Sequence, residues 1–206
     1  MNLLLNYRKM LAFIDPKVHE FASAGSQRSA VAGALYDVAN EHAKGICLLF
    51  EGHCSASGFA LLRILFETYI RASWLLHCAT EKEFETFIEK DKIQLEGSSK
   101  RLTFAAMVKA VEATRKWPST LTDIRAETWS AFNSYTHGGQ LQVTRRYDGV
   151  TIQPHHNPQQ EEETIQFSAM ILFLTFCEIA EMSDSDELNH HVAELYDMIS
   201  PWCFKS

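Results

Sequence analysis

The sequence predicts an all-α fold: a single-domain helical bundle of about seven or eight helices over residues 1–206. Three observations predict it. Apolar residues recur at three- and four-residue spacing through most of the chain. Proline and glycine are scarce, five and nine residues, and fall where the periodic runs stop rather than at the frequent turns of a β-protein. Ser, Thr or Asn stands before most of those runs, where a helix needs a side chain to satisfy its first free amides. At 46% hydrophobic the chain can bury one large core, and no repeat, low-complexity tract or composition shift divides it.

Residues 2–14 carry a helical pattern. Asp15-Pro16 reads as an N-cap followed by a first-turn proline, which starts a second short helix to about residue 24. Ser26 caps a helix with Val31, Leu35, Val38, His42, Ile46 and Leu49 on one face, ending near Gly52. Residues 57–78 are apolar on every side, as expected of a central helix, with Ser55 or Ser57 as its cap. Thr80-Glu81-Lys82-Glu83 spells a capping box and opens a charged helix to about residue 95, with a loop over 96–100. Thr103 caps a helix bearing Phe104, Met107, Val108 and Val111, stopped by Trp117-Pro118. The next starts at Ser119 or Thr120, turns Ile124, Trp129 (or Thr128), Phe132 and Tyr135 inward, and closes at His137-Gly138-Gly139. Residues 140–154 read as a hairpin-like or irregular insertion, two short β-like arms about Asp148-Gly149. Asn157-Pro158 caps a long helix through Met182, and Ser185 opens a last one, stopped by Pro201.

The net charge of −7 argues against non-specific nucleic-acid binding, which depends on Lys and Arg. The charge is uneven: residues 161–206 hold ten acids and one base, whereas residues 100–146 hold eight bases and few acids. Five scattered cysteines without a CxxC pair read as core thiols of a reducing, cytoplasmic compartment. The N-terminal apolar run is broken by Arg8 and Lys9, unlike a signal peptide, and the uncharged run 165–177 is short of the ~20 residues a bilayer span requires. No membrane partner is expected.

No motif fixes a reaction. The nine histidines include one Glu187-x-x-His190 pair, but the second pair and further glutamates of a di-iron bundle are missing, as are HExxH and zinc spacings. The sequence therefore assigns no metal and no cofactor. Three polar features stand out. Arg63 and Glu67 form an i, i+4 pair inside the apolar helix, where charge costs several kcal/mol unless paired. Asn133, Tyr135 and His137 end a helix. Arg145 and Arg146 lie in the insertion. If these share a cleft, His137 is the proton-transfer group, Arg63, Arg145 and Arg146 are the anion-binding candidates, and Glu67 orients Arg63 or His137. The competing reading is structural: an internal ion pair, a helix-terminal histidine and solvated arginines.

The pairing of LLRILFETYIRASWLL (61–76) with FNSYTHGG (132–139), followed by Gln142-x-x-Arg145-Arg146, resembles a family of bacterial helical proteins known as a domain of unknown function. More distantly, the bundle and its Asn133-x-x-x-His137 resemble the HEPN superfamily. That resemblance implies a small, often dimeric bundle, and its active members are metal-independent endoribonucleases with an arginine and a histidine a few residues apart. Asn133 and His137 match, but Phe132 stands where the arginine belongs and Arg125 is too far upstream. The expectation is a non-catalytic or regulatory interaction protein, forming a homodimer or binding another protein. The alternative is an endoribonuclease-type toxin or defence component using His137 with Arg63, with RNA as partner under that reading alone.

Overall fold

The computed structural model describes residues 2–18, 25–98, 100–155 and 157–204. Among them the chain forms nine helices: α1 (Leu3–Val18), α2 (Gln27–Glu51), α3 (Ser55–His77), α4 (Glu81–Lys90), α5 (Phe104–Arg115), α6 (Thr120–Thr136), α7 (Gln140–Thr144), α8 (Pro158–Ser183) and α9 (Asp186–Cys203). The fold is all-α, and no strand occurs among the described residues, only two isolated bridges.

Helix α3 is the centre. It runs along α2 and packs against α5, α6 and α8, while α1 and α9 close over α8. Its Phe59, Leu62, Leu65, Phe66, Tyr69, Ile70, Trp74 and Leu75 are all buried, which is why the segment is apolar all round. Helix α8 is 26 residues long with a window of mean hydropathy 1.5, so its length and composition would allow it to cross a bilayer. More than half of that window is instead buried inside the bundle. The uncharged run 165–177 is thus the middle of a longer apolar helix.

Most helix starts follow their capping residues. Ser26, Thr103, Asn157 and Ser185 each accept a hydrogen bond from a first-turn amide. Thr80 and Glu83 satisfy each other's backbone amides in a complete capping box. Arg28 closes the far end of α3, donating to the carbonyls of Leu75 at 2.6 Å and Ala79 at 2.8 Å, where a cation complements the helix dipole.

Four boundaries differ from the sequence expectation. Helix α1 runs through Pro16 without a break. A proline in a last turn removes one hydrogen bond, and buried Ile14 and Val18 hold the turn in place. The rest of the expected second helix lies outside the described residues. Helix α3 begins after Cys54, which supplies no side-chain cap; Ser55 instead donates to Glu161 at 2.8 Å. Helix α4 stops at Lys90, because Asp91 turns left-handed at φ 51° and the chain doubles back through a Gln94–Arg101 bridge. In the insertion, residues expected in the first β-like arm form α7; a single bridge, Tyr147–Ile152, remains around Asp148-Gly149. The helical turn lets Gln142 reach back to α3 and α6, its Nε2 donating to the carbonyls of Ala56 at 3.0 Å and Tyr135 at 3.1 Å.

Candidate functional site

Positions 63, 67 and 71 succeed one another at i, i+4 spacing along one face of α3. Glu67 is shared between the two arginines: Arg63 Nε donates to one carboxylate oxygen at 2.9 Å, and Arg71 Nη2 donates to the other at 3.4 Å. The Arg63 and Glu67 side chains keep 22% and 20% of their surface exposed. The ion pair is therefore neither sealed in the core nor loose on the surface. It lines an open cleft.

His137 is brought to Arg63 by the end of α6. Thr136 donates to the Ala60 carbonyl at 3.3 Å, pinning that end to α3. Gly138 then turns left-handed at φ 65°. Gly139 crosses so closely over Ser134 that a Cβ would meet its Oγ at 2.6 Å. Ser134 Oγ in turn accepts from the Leu141 amide at 3.0 Å. The paired glycines thus let the chain fold back and leave His137 exposed at the corner. Arg63 Nη1 donates to His137 Nε2 at 2.7 Å. A guanidinium only donates, so Nε2 is the acceptor and the ring proton sits on Nδ1.

The same guanidinium stacks on Trp129, its carbon 4.9 Å from the ring centre, with Arg125 at 5.5 Å and Phe104 stacked on the indole at 4.5 Å. The cleft beside them measures about 290 Å³ and is lined by Arg63, Glu67, Arg71, Arg101, Thr103 and Trp129 among others. Three arginines face one carboxylate there, so the local charge is positive although the chain carries −7 overall. Such a site can hold an anion through forked, charge-assisted hydrogen bonds. No group of His, Cys, Asp and Glu able to hold a metal occurs among the described residues.

The other expected residues lie elsewhere. Asn133 sits one turn before His137, its carbonyl accepting the His137 amide at 3.0 Å. Arg145 and Tyr135 line a different cleft, between α3, α6 and α8. Arg145 is no solvated arginine: it is 7% exposed. Arg146 is half-buried, and its carbonyl accepts from Gln153 at 2.9 Å. One shared cleft for all three features is therefore not what the fold builds. Helix α6 separates them, presenting Trp129 towards Arg63 while Thr128, Phe132 and Tyr135 face the other cleft.

Sequence reasoning passed over Arg71, Arg101 and Trp129 as lining residues, and it missed a second polar network. At the C-terminal end of α3, His77 Nε2 meets Glu178 at 2.7 Å, and Arg115 pairs with both oxygens of Glu181 at 2.9 and 2.6 Å. Glu178 is 1% exposed, following directly on an apolar run, which is the signal that could have found it. Burial first, and then the charge of Glu178, holds the neighbouring Tyr36 and Tyr69 phenols far above their ordinary range, so both stay protonated. This network lies between packed helices and clamps α3, α5 and α8.

A family model matches the chain over residues 36–205; it describes a family of unknown function, DUF6988. No match was found among curated proteins or among solved structures.

Proposed function

The chain belongs to this family of unknown function, and from that premise we propose that it is a non-catalytic, regulatory binding protein whose Arg63 cleft recognises a phosphate group. One observation carries the reading: a single guanidinium, Arg63, is held at once by Glu67, His137 and the Trp129 face, beside Arg71 and Arg101 in an open cleft. Holding the fork from several sides removes much of the ordering cost that a free arginine pays on binding. The same contact argues against proton transfer in the resting state, because the nitrogen His137 would use is occupied by Arg63. A net charge of −7 also gives a long polyanion little general attraction, which favours a small phosphate-bearing ligand.

A second reading rests on that same 2.7 Å contact. Arg63 comes from another helix, and its contact with His137 supplies the arginine that the Asn133-x-x-x-His137 segment lacks. Under this reading RNA displaces Arg63 from Nε2; His137 takes the 2′-hydroxyl proton, the 2′-oxygen bonds to phosphorus as the P–O5′ bond breaks, the departing 5′-oxygen takes a proton from water, and Arg63 stabilises the charge developing on the non-bridging phosphate oxygens.

Titration with pyrophosphate and 5′-nucleotides, followed by calorimetry, tests the proposal. Saturable binding is expected, weakened about tenfold or more, ~1.4 kcal/mol, by Arg63→Met with the helical signal unchanged. Equal affinity in the variant, or no binding to either ligand, would count against it. Incubation with total RNA decides the second reading: cleavage by the native protein that His137→Ala abolishes would replace regulation by catalysis.

A further inference from the structure

The second cleft contains a different kind of site. Gln142 anchors α7, and the residue after it, Arg145, is thereby swung under the helices. Its guanidinium lies against two aromatic rings that also touch each other, 4.6 Å from the Phe59 centre and 4.5 Å from the Tyr135 centre. Nη2 donates to Gln160 at 2.6 Å. Nη1 is shielded from solvent and meets no partner at full hydrogen-bonding geometry among the described residues; the guanidinium's further polar neighbour of note is the Tyr135 phenol, whose burial-driven rise in pKa it partly offsets. Among the described residues no carboxylate lies within ion-pairing distance of this 93%-buried cation. Glu163 stands at the rim, exposed and engaged by Gln159 at 3.0 Å. Aromatic faces compensate a delocalised cation only in part, and a buried arginine ordinarily has an anion.

The cleft that Arg145 lines measures about 320 Å³, at the small end of ligand pockets, ~300–1,000 Å³. Beyond Arg145 its walls are mainly apolar: Phe59, Leu62, Phe132, Leu141 and Phe167. We propose that this cleft binds a small carboxylate with an apolar body, the carboxylate paired with Arg145 and the body against Phe132 and Phe167. One arginine matches one negative charge, and its planar fork matches a planar carboxylate. A phosphate dianion would bring two charges to a single cation among apolar walls, so the chemistry differs from that of the Arg63 cleft. The site is independent of the function proposed above.

Calorimetric titration of the full chain with 3-phenylpropionate and 4-methylpentanoate, against 3-phenylpropionamide, tests the assignment. The acids bind saturably and the amide about tenfold more weakly or worse, since it carries no charge for Arg145. Arg145→Met lowers acid affinity by a similar factor, whereas Arg63→Met leaves it unchanged. Equal binding of acid and amide overturns the proposal. So does the absence of saturation up to about 10 mM, or an Arg145→Met protein that folds and still binds the acid as the native chain does. If Arg145→Met does not fold, the acid-to-amide ratio on the native protein decides.

Discussion

Glu112 shows how one residue can serve a helix that is not its own. It belongs to α5, is 5% exposed, and accepts hydrogen bonds from the Leu121 amide at 2.6 Å, the Thr122 amide at 3.2 Å and the Thr122 hydroxyl. It therefore caps α6, a task that Ser119 leaves undone because its hydroxyl donates to Asp123 at 3.1 Å. A carboxylate buried on free helix amides gains from both hydrogen bonding and the dipole. Glu112→Ala is expected to cost about 2–3 kcal/mol in urea unfolding, with Glu112→Gln intermediate; a loss under ~0.5 kcal/mol would show that water replaces the cap. The ion pair of Arg63 with Glu67 was legible from i, i+4 spacing, because that distance is set within one helix. The capping role of Glu112 was not, because the amides it accepts from belong to the next helix, beyond the turn at Trp117-Pro118.

Between elements, the most extensive packing is α2 on α3. A Cβ at Gly58 would meet Cε2 of Phe50 at 2.8 Å and Cδ2 at 3.1 Å. Phe50 is buried and held edge-on to Phe59 at 5.6 Å, so its ring has little room to yield. On an open helix Gly→Ala gains about 1 kcal/mol; overpacking costs about 1–3 kcal/mol. Gly58→Ala should therefore lower the melting temperature by ~2–4 °C in a chain of this size, and a rise would mean that α2 and α3 separate easily. Helix starts were well read because caps are local. Ends were read less well: α1 continues through Pro16 and α4 stops at Asp91, each decided by what lies beneath that turn. Residues 140–144 have a strand-like composition but form a helix, and its turn lets Gln142 bridge α3 and α6.

At the scale of the molecule, the core protects four of five thiols. Cys54 is exposed, Cys47 is buried, and Cys78, Cys177 and Cys203 are partly covered. Burial pushes the Cys177 and Cys203 thiols up to about 12 and that of Cys47 up to about 11, and it raises Cys78 as well. A raised value means that these groups stay protonated at pH 8, and the thiolate is the reactive form. A disulfide reagent at pH 8 should therefore modify one thiol quickly in the native protein and all five in urea. Several fast thiols without urea would mean that the bundle opens under native conditions.

The sequence by itself determined the helical class, the central helix, most helix starts and the charged pair within α3, because periodicity, caps and i, i+4 spacing act over a few residues. Only the tertiary structure decided that His137 meets Arg63 while Arg145 turns away into an apolar cleft of its own. Both residues lie some seventy to eighty positions from Arg63 in the chain, and no local pattern distinguishes them. The separation follows from the two faces of α6 and from the paired glycines that fold the chain back over its end.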